Sequence, residues 1–175
     1  VLQAFERFRL LCAVRVGDWG VTGLNTAIER ELIARKRLVK DGPWYAGRPV
    51  MVTRNDSALG VFNGDIGITL PSPDGLLRVY FLDGDQLRSV GVARLAHIET
   101  AFAMTVHKSQ GSEFTHAALV LPAYGGRVLG RELVYTGITR AKAQCTVFTQ
   151  HPKVLAQALA QPTQRHSGLL EFFDS

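Results

Sequence analysis

Two periodicities alternate along this 175-residue chain, and that alternation constrains its fold more than any other feature. Long elements occupy both ends. Residues 8–16 read as a buried strand, Phe-x-Leu-Leu-Cys-Ala-Val-x-Val. Thr22 is placed to cap a helix that carries Leu24, Ile28, Leu32 and Ile33 and runs to about Leu38. Basic residues fill its last turns and Asp41-Gly42-Pro43 stops it. Residues 100–105, 117–121 and 146–149 read as further strands, and 131–141 and 151–160 as helices. Strands alternating with helices predict a parallel α/β sheet.

The stretch 47–97 has a different character. Short apolar runs around Val50, Ile68, Val79 and Val90 are separated by Asn63-Gly64-Asp65, Pro73-Asp74-Gly75 and Asp83-Gly84-Asp85. This spacing predicts a small antiparallel barrel or meander of about five strands. The economical organisation is one α/β domain, residues 1–44 and 99–160, interrupted by a small β domain at 45–98. A tail, 161–175, carries Leu169, Leu170, Phe172 and Phe173 for docking. The first residue is Val rather than Met, which suggests a piece of a longer protein.

Charge follows the same division. Residues 1–44 carry eight basic and five acidic side chains, 45–98 five of each, and 99–175 seven and five. The net charge of +5 therefore belongs to the outer segments, which permits a polyanionic partner there. A local patch of Arg48, Arg54 and Arg78 remains open within the neutral insert. No apolar run approaches the roughly 18 residues of a membrane span. Cys12 and Cys145 lie in apolar runs and read as buried strand thiols, with no disulfide framework or zinc spacing. The expected location is cytoplasmic. The five histidines show no metal-ligand spacing.

Two polar segments are candidates for chemistry. The first, Thr105-Val106-His107-Lys108-Ser109-Gln110-Gly111-Ser112-Glu113-Phe114, follows a predicted strand. Ligands of open parallel sheets gather at the carboxyl ends of strands. Thr105, His107, Lys108 and Ser109 offer donors for phosphate oxygens, Gly111 permits close backbone approach, and Glu113 suits a sugar hydroxyl. A solvated loop with one helical turn is the alternative. The second segment is Glu132-Leu133-Val134-Tyr135-Thr136-Gly137-Ile138-Thr139-Arg140-Ala141-Lys142. Thr136 and Arg140 share a helical face, and an arginine at a short helix end can stabilise a transferring phosphoryl group. An ordinary arginine favoured by the helix dipole is the alternative. In the insert, Asn63-Gly64 reads as a type I′ hairpin turn.

Together the two segments resemble motifs V (TVHKSQGSEF) and VI (VYTGITRAK) of superfamily-one helicases. With RNDSALGVFNGDIG at 54–67, RVGDWGVTGLN at 15–25 and RHSGLL at 165–170, the pattern is similar to the RecD family, the alpha subunits of exodeoxyribonuclease V. The resemblance implies the second RecA-like motor domain (domain 2A) of an ATP-dependent 5′–3′ DNA helicase, with an inserted SH3-like barrel. It implies that Arg140 touches the ATP γ-phosphate. Gly111 and Glu113 would lie near the γ-phosphate and ribose, and Arg15 would make a second γ-phosphate contact. Thr105 and His107 would meet the single-stranded DNA backbone, within a loop that also carries Lys108 and Ser109. Tyr135 and Thr139 match motif VI as structural supports.

The phosphate-cradling G-x-x-x-x-G-K-[ST] run is absent from this sequence, as is an acidic Mg²⁺ motif ahead of Arg15. The resemblance therefore implies that ATP and Mg²⁺ are held largely by an upstream RecA-like domain, and that the fragment is inactive alone. Implied partners are that domain, single-stranded DNA, and RecB- and RecC-like subunits. In that family the nuclease site lies in a partner subunit, and no clustered Asp/Glu/Lys set for catalytic metal is found here. The competing readings are a non-catalytic interaction module, whose barrel and tail dock partner subunits or DNA, and another superfamily-one enzyme such as a conjugative relaxase-helicase.

Overall fold

The computed structural model describes residues 1–84, 86–124 and 129–161. The expected tail, apart from Gln161, lies outside the described residues. The chain runs α1 (Leu2–Arg7), β1 (Phe8–Cys12), α2 (Val21–Ala34), β2 (Pro49–Val52), β3 (Ile66–Pro71), β4 (Leu77–Asp83) and β5 (Gln86–Gly91). It continues through β6 (Ile98–Thr100), β7 (Ala103–Thr105), β8 (Phe114–Val120), α3 (Arg131–Ile138), β9 (Ala141–Phe148) and α4 (Pro152–Ala160).

A four-stranded sheet, order β7-β1-β8-β9, is parallel throughout. Its central strand, Phe-Arg-Leu-Leu-Cys, is nearly continuous in apolar residues because both of its faces are covered. Leu11 packs on one side with Leu119, Leu133, Val134, Val154 and Ala158, which brings in α3 and α4. Cys12 packs on the other with Val21, Leu24 and Ala103, which brings in α2. Gly137 lets α3 lie close to β8, since a Cβ there would stand 2.9 Å from Leu119 Cδ1.

Strand β9 begins at Ala141, five residues before the start read from its apolar pattern. Lys142, Ala143, Gln144 and Cys145 are exposed, so pairing with β8 rather than burial holds this edge strand. Cys145 is thus an exposed strand thiol, whereas Cys12 is fully buried and burial pushes its thiol up to about 12.

Helix α2 starts from Gly20, not Thr22. The Thr22 hydroxyl instead donates to the Arg15 carbonyl at 3.1 Å. The helix ends four residues early. Lys36 adopts φ +55°, Arg37 N–H reaches back to Leu32 O at 2.8 Å, and Lys36 N–H to Ile33 O at 2.9 Å. That is the Schellman arrangement with lysine in the left-handed position.

The second sheet is a five-stranded antiparallel meander, order β5-β4-β3-β2-β6. It is an open sheet with β5 and β6 at its edges, which is the meander of the two arrangements read from the strand spacing and not the closed barrel that the resemblance implies. Val50, Val52, Val61, Val79, Phe81, Val90 and Leu95 make its core, while Met51 points the other way into the main core beside Met104 and Val106. The Asn63-Gly64 step is not a type I′ turn. Gly64 has φ +102° but Asn63 does not have positive φ, and that turn requires both.

One predicted strand, 100–105, is two strands in two sheets. β6 pairs with β2 and β7 with β1. Asn25, buried on α2, stitches the crossing. Its Nδ2 donates to Thr100 O at 3.0 Å and Ala103 O at 3.2 Å, and its Oδ1 accepts from Ala103 N–H at 3.0 Å.

Candidate nucleotide and nucleic-acid edges

Because the four strands of the main sheet are parallel, all their carboxyl ends share one edge and all their amino ends the other. The candidate segment 105–113 does not stay at the carboxyl edge. It starts there, with Thr105 opposite Cys12 and Val106 N–H bonded to Cys12 O at 3.0 Å. It then crosses to Phe114, the first residue of β8, which lies opposite Ala141 at the amino edge. β8 has seven residues. At about 3.3 Å per residue the edges are roughly 20 Å apart. Gly111 makes the reversal possible at φ +84°, a conformation that disfavours any side chain.

At the amino edge the structure brings Arg140, Gly111 and Glu113 together. Arg140 follows the C-terminus of α3, where three oxygens hold its guanidinium. Nη1 donates to Ser112 O at 3.0 Å, Nε to Thr136 O at 3.3 Å and Nη2 to Thr139 Oγ1 at 3.4 Å. All three acceptors are neutral, so the charge is oriented without an ion-pair partner among the described residues. Phe114 N–H closes the arrangement on Arg140 O at 2.8 Å. Thr139 thus supports Arg140 directly, while Tyr135 contributes its carbonyl to the helix end and leaves its ring exposed. Glu113 and Lys142 form an exposed ion pair at 3.5 Å, a geometry worth at most about 1 kcal/mol.

The carboxyl edge holds the other candidates. Thr105 Oγ1 accepts from Lys108 N–H at 3.3 Å, and His107 is exposed in the short 3-10 turn His107–Ser109. Lys108 Nζ reaches Asn63 Oδ1 of the inserted sheet at 2.8 Å. Ser109 does not face a ligand. It is fully buried, and its hydroxyl donates to Val106 O at 2.7 Å to support the turn. Arg15 also lies at this edge, beyond the carboxyl end of β1, in an ion pair with Glu99 at 2.5 Å. The structure therefore separates Arg15 from Arg140 instead of joining them around one phosphate.

The expected patch of Arg48, Arg54 and Arg78 does not assemble. Arg48 lies over Trp44 and donates to Pro43 O at 2.8 Å, and Arg78 is held by Ser89. Arg54 instead shares a hollow of about 30 Å³ with Arg94, His97 and Leu59. Both arginines are exposed and lack a hydrogen-bond or ion-pair partner among the described residues. The loop continues to Asn55, whose Oδ1 accepts from Asn63 N–H at 2.8 Å, and so reaches Lys108. Sequence reasoning missed Arg94 and His97 because nothing local links them to Arg54. The backbone bond from Thr53 N–H to His97 O does so at 2.9 Å.

Among the described residues no group of three or more His, Cys, Asp or Glu side chains is placed to hold a metal ion, and no helix is long and apolar enough to cross a membrane.

Comparison with known proteins supplies a family context for this geometry. Residues 100–148 match the model of the UvrD-like helicase C-terminal domain. The RecBCD enzyme subunit RecD of Mycobacterium tuberculosis is 42% identical over 168 residues, covering 96% of this chain and 29% of that protein. The corresponding subunit of Haemophilus influenzae is 42% identical over 167 residues, covering 94% of this chain and 25% of that protein. The chain thus spans between a quarter and a third of the length of these relatives. Similarity to RecD runs over almost all of it. In fold it is similar to the Bacteroides Pif1 helicase crystallised with ADP-AlF3 and single-stranded DNA. The TM-score is 0.56 at 17% identity, covering 97% of this chain and 44% of that one.

Proposed function

We propose that this chain is the second motor domain of a RecD-type, ATP-dependent 5′–3′ DNA helicase acting in double-strand break repair and recombination. Residues 1–44 and 99–160 form the motor, and 45–98 form an antiparallel β insert within it. The observation that carries this reading is Arg140, a guanidinium fixed by three neutral oxygens beside Gly111 and Glu113. Such a cation is preorganised for negative charge delivered from outside the chain.

ATP would lie against the amino edge, between this domain and an upstream RecA-like domain that cradles the phosphates. Mg²⁺, held by that upstream domain, would neutralise charge on the phosphate oxygens. Closure of the cleft brings Arg140 against the γ-phosphate as charge develops in transfer to water. Thr139 and Ser112 keep the guanidinium aimed, and Glu113 offers an acceptor to the ribose. At the opposite edge Thr105, His107 and Lys108 hold the DNA backbone, and Arg54, Arg94 and His97 continue the track across the insert. Contacts to phosphate rather than base give little sequence preference and a marked salt dependence. RecB- and RecC-like subunits would complete the enzyme.

The test uses the full-length polypeptide with its upstream domain. Arg140→Ala should lower DNA-stimulated ATP hydrolysis by about 10³-fold or more and leave binding of a fluorescent ADP analogue within threefold. Retained hydrolysis would overturn the assignment.

A further inference from the structure

Among the described residues, Arg9 is the one buried cation that the proposed chemistry leaves unused. It is the second residue of β1, it is 2% exposed, and its Nε and Nη1 have no hydrogen-bond partner there. Its guanidinium lies between two rings, 4.1 Å from the centroid of Phe5 on α1 and 5.0 Å from that of Phe114. Burial lowers its pKa to about 10, against a weaker opposite pull from Glu6, so it stays charged at neutral pH.

An apolar side chain would sit at this position with less desolvation, as Leu11 does two residues on. The two stacked rings offset part of that cost. One of those rings belongs to the residue that anchors the amino edge. Phe114 directly follows Glu113, its N–H donates to Arg140 O at 2.8 Å, and Arg140 Nη1 returns to Ser112 O at 3.0 Å. Phe114 is buried in the main core, where close packing holds its rotamer, so a displacement of the ring is passed on to its Cα and N–H.

We infer that Arg9 is a positioning residue for Arg140: its guanidinium, backed by the Phe5 ring of α1, packs against the Phe114 ring and so fixes the Ser112–Phe114 backbone on which the Arg140 guanidinium and carbonyl are hung. The inference rests on the reading of Arg140 given above. The two are separable, because Arg9 touches neither nucleotide nor DNA in that reading.

The experiment compares Arg9→Met, Arg9→Lys and Arg140→Ala in the full-length polypeptide, with steady-state ATP hydrolysis and thermal unfolding measured on each. Arg9→Met is expected to lower kcat about tenfold with KM for ATP within twofold, and to keep or raise the melting temperature. Arg9→Lys, which retains a cation between the rings, should recover kcat to within about threefold. Should Arg9→Met fail to fold, Phe5→Leu removes only the outer ring and is expected to lower kcat in the same way. Wild-type kcat in Arg9→Met, or in Phe5→Leu where that variant is needed, overturns the inference. Retained hydrolysis in Arg140→Ala overturns the underlying reading instead.

Discussion

The two edges of the parallel sheet are built on different principles. At the amino edge Arg140 is held by neighbours close in the fold, through backbone carbonyls and one hydroxyl, so its aim is set by α3 and by segment 112–114. At the carboxyl edge Lys108 is held by Asn63, which comes from the inserted sheet 45 residues away in sequence. One edge is self-contained, its arginine held by α3 and by the neighbouring segment 112–114. The other is shared between two sheets, and its basic surface depends on how they pack. A self-contained edge suits a transition state, where a small misplacement of charge is costly. A shared edge suits a flexible polymer gripped through its phosphates.

Functional independence of the edges is the sharpest prediction. The loss of hydrolysis expected for Arg140→Ala is the largest effect, and it should leave the dissociation constant for single-stranded oligonucleotide within threefold by fluorescence anisotropy. Coupled losses in both readouts would break the contrast. Thr105→Ala with Lys108→Ala is the converse, with an expected loss of DNA affinity of about tenfold or more, since removing a cation from a phosphate also reduces the salt slope by roughly 0.7.

Gly111 joins the edges, so Gly111→Ala should disturb both. A residue with a side chain forced into the left-handed region costs about 1–2 kcal/mol, which should appear in chemical denaturation together with a loss of hydrolysis. Arg54→Ala with Arg94→Ala tests whether the insert belongs to the carboxyl edge. Affinity should fall about threefold to tenfold, and the salt slope should shrink by roughly 0.7 for each phosphate that is no longer neutralised. Unchanged affinity would confine the grip to segment 105–108.

The smallest effect lies away from both edges. Glu29 on α2 accepts from Lys40 Nζ at 2.7 Å and from the Tyr45 hydroxyl. Burial pushes its pKa up, but these hydrogen bonds and the Lys40 and Arg48 charges outweigh it, so the carboxyl lies below its ordinary value of 4.5. A depressed carboxyl contributes stability that is present above about pH 4.5 and lost as pH falls through the folded value. Glu29→Gln should therefore flatten the acid side of the stability profile, with no change in nucleotide or DNA affinity at neutral pH.

How much of this was legible varied by element. Strand β1 and helices α3 and α4 were readable, though not the ends of β1 at Cys12 instead of Val16 and of α3 at Ile138 instead of Ala141, because burial on one or two faces writes a continuous or 3.6-residue apolar pattern. The first half of β9 was not, because an exposed edge strand held by its backbone needs no such pattern. The 100–105 run read as one strand because both of its halves are apolar. Only Asn25, 75 residues upstream, marks where the chain changes sheets. The spacing of the insert left a barrel and a meander equally open for a related reason: it records hairpins but not which strands lie at the edges, and here β6 returns to pair with β2 while β5 stays unpaired on its outer side.

The sequence alone determined the two kinds of sheet, the order of most elements and the identity of most chemical side chains, because periodicity and residue type are local properties. Tertiary structure alone decided which of those side chains meet. It sent segment 105–113 from one edge to the other and grouped Arg140 with Gly111 and Glu113. It paired Arg15 with Glu99 on the far side, turned Ser109 inward, and set Arg9 between two rings. These are outcomes of parallel pairing between strands about a hundred residues apart, such as β1 with β7 and β8, and no local pattern encodes which ends of such strands lie together.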